Sequence, residues 1–216
     1  DGMLYVGTGE TFRRELAQMP DSLAGKILRV TPDGAPALGN PRADSPVYTL
    51  GHRNVQGLAW NPVSGELFAS EHGPSGEDGL RAHDEINVIR AGGNYGWPLV
   101  VGAPHRPGLV DPLISWNDRT TPPSGMAFGQ GALYVATLAS GTLVRVGLAR
   151  AGEAWQVRSI ERLFHDGERT TAEFVASLKD RFGASAGRGV HLLTLHRAKG
   201  LEFEAVFLPR LQEKEL

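Results

Sequence analysis

The sequence predicts a mainly β fold, built from about three repeats of one antiparallel strand unit and followed by a short α/β segment at the C-terminal end. Three observations predict it. A glycine–leucine–aromatic motif recurs at nearly constant interval, an alternating apolar strand pattern follows each copy, and the composition changes abruptly near residue 165.

The motif reads "GMLYVGT" at 2–8, "GELFASE" at 65–71 and "GALYVAT" at 131–137, at intervals of 63 and 66 residues. Each copy places a turn glycine before a leucine, an aromatic residue and small residues. A second element precedes two copies, "GLAW" (57–60) and "GMAF" (125–128). A third follows all three, "GKILRVTPDG" (25–34), "DEINVIRAGG" (84–93) and "TLVRVGLARAG" (142–152). These alternate apolar and polar residues, as a strand with one buried face does. The unit is strand, tight turn, strand, long loop, strand. Its recurrence points to blades of a β-propeller; a β-sandwich with coincidental spacing is the alternative. The first copy lacks its preceding strand, so the chain is expected to begin inside a hairpin. About three blades do not close a propeller, and open blade edges would favour self-association.

Thirteen of the 14 prolines lie between Pro20 and Pro123, and all four tryptophans precede residue 156. Lysine does the reverse, with Lys26 alone early and Lys179, Lys199 and Lys214 late. This divides the chain into 1–163 and 164–216. In the second part, "TTAEFVASLKDRF" (170–182) has helical apolar spacing with Thr170 or Thr171 as N-cap. The runs "VHLLTL" and "AVFLP" read as short buried strands.

Composition narrows the function classes. In 216 residues, 22 Lys and Arg face 24 Asp and Glu, which gives no global reason to expect nucleic acid. There is no cysteine, which removes disulfides, thiol catalysis and cysteine-based metal sites. No apolar run reaches transmembrane length, and no signal peptide is read.

At "GHRNVQGLAW", "EHGPSGED", "HDEINVIRAGGNYGWP" and "PSGMAF" the chain resembles the soluble quinoprotein sugar dehydrogenases, the glucose/sorbosone dehydrogenase family. The resemblance implies part of a six-bladed propeller. It also implies pyrroloquinoline quinone (PQQ) and calcium as cofactors, an aldose as substrate, and oxidation at the anomeric carbon to a lactone. It places Arg53 and Asn54 at the quinone and gives Gln56 a contact with cofactor or substrate. Trp116 would stack on the cofactor ring. The backbone carbonyls of Gly73 and Pro74 would hold calcium, a hard cation that takes carbonyl oxygen readily. Asp84, Glu85 and Tyr95 match a second calcium site of some relatives. Read without the resemblance, Arg53 serves equally as a loop ion pair, and "DEIN" as a strand cap. The family's base histidine has no counterpart here: His52, His72, His83, His105 and His165 stand in other motifs. The sequence therefore predicts weak or no turnover.

"GVHLLTLHRAKGLEFEAVFLPRL" (189–211) resembles motif V of UvrD-type superfamily 1 DNA helicases. By that resemblance Thr194, His196 and Lys199 face DNA, and Gly200 and Glu202 lie near nucleotide. No phosphate-binding "GxxxxGK[ST]" accompanies it. From Asp166 onward eight acidic residues balance eight basic ones, so nucleic-acid binding is disfavoured against a plain strand–turn–strand piece. The dehydrogenase resemblance implies a periplasmic or extracellular setting, the helicase one a cytoplasmic setting. The chain therefore reads as a composite of two origins. Two alternatives to the dehydrogenase stay open, a DNA-helicase fragment and a non-catalytic sugar-binding module.

Overall fold

The structure, a computed structural model, describes residues 1–138 and 142–163. The chain divides into two units, Asp1–Leu163 and Phe164–Leu216, and the description concerns the first. The expected helix at 170–182, the two strands after it, and Thr194, His196, Lys199, Gly200 and Glu202 lie outside the described residues.

Among the described residues eleven strands form three antiparallel sheets. The first contains β1 (Leu4–Gly7), β2 (Lys26–Val30) and β3 (Val47–Leu50). The second contains β4 (Val55–Trp60), β5 (Leu67–Glu71), β6 (Asp84–Val88) and β7 (Ile114–Trp116). The third contains β8 (Pro123–Gly129), β9 (Ala132–Thr137), β10 (Leu143–Ala151) and β11 (Ala154–Leu163). Each sheet is a meander in which sequence neighbours pair. The mainly β expectation holds, and the three motif copies become β1, β5 and β9. The three-strand unit is corrected, because each sheet gains a further strand, β3, β7 or β11. The 3₁₀ helices Arg14–Gln18 and Glu77–Gly79 were also not expected.

Turn chemistry sets the hairpins. Between β8 and β9 only Gln130 and Gly131 intervene, with φ of 46° and 74°. Two consecutive positive φ values match the right-handed twist of the flanking strands, and glycine takes the second at no steric cost.

Two apolar clusters join the sheets. Between the first and second, Ile27 meets Val55, Leu67 and Ala69, with Tyr5 packed edge-on against Tyr48 (5.3 Å) and Trp60 (4.7 Å). Between the second and third, Phe68, Ile86 and Trp116 meet Met126, Leu133 and Val144. Phe68 lies edge-on to Phe128 at 5.1 Å and to Trp155 at 5.6 Å. This explains why all five residues of β5 are buried, since β5 faces a neighbour on both sides. β1 pairs with β2 on one side only, and its Leu4 and Val6 are exposed. No helix among the described residues is long and apolar enough to cross a membrane.

A polar tie crosses the second interface. Glu66 accepts a hydrogen bond from Trp155 Nε1 at 2.9 Å and pairs with Arg150, whose guanidinium lies 4.3 Å over the Trp155 ring. Trp155→Phe is expected to cost about 1 kcal/mol, the net worth of one such bond, read as a shift of the urea midpoint with unchanged slope.

Candidate functional site

In an antiparallel meander, the start of β4, the end of β5, the start of β6, the end of β7 and the start of β8 share one end of the sheets. The loops 51–54, 72–83 and 117–122 therefore converge. Glu71, the last residue of β5, organises them. Its carboxylate accepts the backbone N–H of Arg53 at 3.1 Å, Asn87 Nδ2 at 2.9 Å and His52 Nδ1 at 3.3 Å. His52 is itself buried, stacked on Tyr95 at 4.6 Å, with Nε2 against Thr49 Oγ1 at 2.8 Å.

Two hollows open here, and both are walled by His72, Gly73 and Pro74. The smaller, about 20 Å³, is closed by Arg53, Glu71, His83, Glu85, Tyr95 and Trp97. The larger, about 200 Å³, is closed by Ser75, Arg81, Asp84, Thr120 and Pro122. Gly73 and Pro74 thus form a ledge between them. The residue at 73 has to be glycine, because a Cβ there would overlap the carbonyl oxygens of Ala82 and His83. Those two residues adopt left-handed φ of 62° and 56°, a conformation rare outside glycine.

Arg53 lines the smaller hollow and is only 7% exposed. Its Nη2 donates to Ser75 Oγ at 3.0 Å and to Glu77 Oε1 at 2.7 Å, so the loop ion pair is also present. Its buried Nε has no partner, and neither has Trp97 Nε1 on the same wall. Burial alone would push Glu77 up. The Arg53 bond and backbone N–H groups outweigh it and hold that carboxyl below the usual range. Burial pushes Glu10 up, partly opposed by the Arg53 charge. Burial likewise pushes His72 down, and its Nε2 donates to the Pro123 carbonyl at 2.7 Å.

The other expected residues fall less neatly. Asn54 Oδ1 accepts from Gln56 Nε2 at 3.0 Å, and Gln56 is exposed; neither lines a hollow. Trp116 sits in the core between the second and third sheets, away from both hollows. Asp84 and Glu85 are successive residues of one strand, so their side chains take opposite faces. Asp84 lines the larger hollow, whereas Glu85 and Tyr95 line the smaller one. The three side chains therefore do not gather into one donor set. The Tyr95 hydroxyl is committed, donating to the Val88 carbonyl at 2.7 Å and accepting from Arg90 N–H at 2.9 Å. Burial, and then the neighbouring Glu71 carboxylate, push Glu85 well above the ordinary carboxylate range. Among the described residues no group of three or more His, Asp or Glu side chains is arranged to hold a metal ion.

Glu71, Trp97 and Arg81 were not expected at the site. Glu71 had a signal: it is the one charged residue of its strand, at its end and immediately before "HGP". Trp97 follows a glycine turn, and nothing in its neighbours marks the direction of its ring.

Comparison with known proteins decides the family. The sequence model of the glucose/sorbosone dehydrogenase family matches residues 1–172. The chain belongs to the glucose/sorbosone dehydrogenase family. A putative oxidoreductase (glucose dehydrogenase) of Thermus thermophilus is similar in structure, with a TM-score of 0.71 and 54% identity, over 75% of this chain and 50% of its own. The PQQ-bound form of an aldose sugar dehydrogenase from Streptomyces coelicolor gives 0.67 and 44%, over 76% of this chain and 46% of its own. The aldose sugar dehydrogenase of Escherichia coli is 37% identical over 145 residues, 59% of this chain and 37% of its own. This member of the glucose/sorbosone dehydrogenase family thus spans half or less of the length of each. A model of the UvrD-like helicase C-terminal domain matches residues 170–216, which lie outside the described residues.

Proposed function

We propose that the chain is the part of a PQQ- and calcium-dependent aldose dehydrogenase that carries the calcium ledge and one wall of the quinone pocket, and that its three sheets are blades of a six-bladed propeller. One observation carries this reading: the smaller hollow combines the Gly73–Pro74 ledge with two buried N–H donors that have no partner, Arg53 Nε and Trp97 Nε1. Buried donors left unpaired cost about 1–3 kcal/mol each, a cost that an acceptor-rich ligand removes. PQQ presents carboxylate and quinone oxygens, which suit those donors, and the hollow of about 20 Å³ has room for one such oxygen. Calcium suits backbone carbonyl oxygen.

When bound, PQQ would supply the two-electron oxidant and calcium would polarise it. The chain's own residues do the rest. Arg53 offers planar donors, and Glu71 fixes its backbone through a 3.1 Å bond. The ledge would offer its two carbonyl oxygens, and the 82–83 backbone abuts it at Gly73. Arg81, His72 and Thr120 give the larger cleft a polar lining suited to an aldose. Among the described residues His52 is engaged through both ring nitrogens, whereas His72, His83 and His105 are each engaged through one.

The expected result is calcium-dependent binding of PQQ by the chain in titration calorimetry, with dye-linked aldose oxidation absent or at least about a hundredfold below that of a complete quinoprotein aldose dehydrogenase. PQQ binding indifferent to calcium, or no binding at all, would refute the cofactor assignment. Robust turnover would refute the missing base.

A further inference from the structure

The ledge is held by a side chain that the second-calcium pattern had claimed as a metal ligand. Asp84 is 3% exposed. Its Oδ1 accepts the Gly73 N–H at 3.1 Å, and its Oδ2 accepts the Thr121 N–H at 2.7 Å. These two N–H groups come from different loops, at the end of β5 and ahead of β8. Thr121, in turn, accepts Arg162 Nη2 at 2.7 Å through its hydroxyl, which ties the same loop to β11.

We propose that Asp84 is a positioning residue. Its carboxylate clamps the Gly73–Pro74 turn to the 118–122 loop and so fixes the direction in which the two ledge carbonyls point. The inference rests on the reading of that ledge as a calcium site. The chemistry favours a clamp. A carboxylate accepts two N–H bonds at once, and both are charge-assisted. The backbone around it leaves little slack, because the 82–83 carbonyls already abut Gly73 and no Cβ intervenes. Asp84 sits on the face of β6 opposite Glu85, so the two do not share an ion; Asp84 acts through the Gly73 peptide. Removing one oxygen should let that peptide rotate. Groups that orient ligands in this way typically control metal affinity by about 10–100-fold.

The experiment uses the chain with calcium alone. Asp84→Asn keeps the volume but accepts at one oxygen only. Calcium affinity is expected to fall at least about tenfold, while amide hydrogen exchange accelerates at Gly73 and Thr121 and stays unchanged in the strands. Trp155→Phe serves as a mildly destabilised control far from the ledge and should leave both readouts alone. Equal calcium affinity and exchange in D84N and the unaltered chain would overturn the proposal, as would a matching loss in the control. If D84N does not fold, the unaltered chain still decides: slow exchange at both amides supports the clamp and fast exchange at both overturns it. An unaltered chain with slow amides that takes up no calcium would keep the clamp and refute the ledge as a metal site.

Discussion

Gly73→Ala is expected to lower stability by about 3 kcal/mol and to abolish calcium binding at the ledge. The added methyl would occupy the space of the Ala82 and His83 carbonyl oxygens, and both are backbone atoms that no rotamer change moves aside. Relief requires residues 82–83 to leave their left-handed conformation, which unseats Asp84 immediately after them. The Gly73 N–H then loses the Asp84 carboxylate. For a domain of this size the loss corresponds to a melting temperature lower by roughly 10 °C. Thermal unfolding and calcium calorimetry read the two effects separately. A variant with unchanged melting and unchanged calcium affinity would mean that the 73–84 contact is not fixed.

Lys26→Met is expected to cost a similar amount, about 3 kcal/mol, without touching a ledge residue. The ammonium of Lys26 is fully buried and donates to three carbonyls, Leu16 (2.8 Å), Ala17 (3.0 Å) and Ala24 (2.7 Å). Methionine keeps the volume and strips the donors. A pH dependence accompanies it. Burial pushes Lys26 down to about 8, below the ordinary lysine value near 10.4. Between those two pH values the unfolded chain holds more protons than the folded one. The contribution of Lys26 to stability therefore rises with pH across that window and is flat below it. Denaturant titrations at about pH 7 and about pH 10 should show the gap between the unaltered chain and K26M widening at the higher pH. A gap that narrows would place the folded value above the unfolded one.

The strands that proved legible in the sequence are those the repeat marks: β1, β5 and β9 with their glycine and aromatic residue, β4 and β8 before two of them, and the alternating β2, β6 and β10. β5 and β9 each start from a turn glycine, Gly65 or Gly131, whose positive φ a side chain would strain. β7 has three residues and β3 four, too short for a period of two to declare itself. Their pairing comes from the sheet and not from their own pattern. At the site, the co-location of Arg53 with Gly73 and Pro74 follows from loop order alone, since a meander returns alternate loops to one end. Asp84 and Glu85 show the limit of proximity in sequence. Neighbours along a strand diverge in space, and one carboxylate became a backbone clamp while the other was buried against Glu71. Trp116 was misplaced for a related reason: an aromatic residue near a binding loop reads the same whether its ring turns toward the ligand or into the core.

Gln18 and Asn94 are 76 positions apart, yet they exchange paired amide bonds of 3.0 and 2.8 Å, and Gln18 also holds the Trp97 carbonyl at 2.7 Å. Trp97 supplies one of the two waiting donors in the smaller hollow. A contact of such long range is made only after a wide loop has closed, and loop closure is entropically slow. The smaller hollow should consequently mature late in folding, after the first two sheets have docked. The proposed cofactor would then recognise finished molecules and ignore those still assembling.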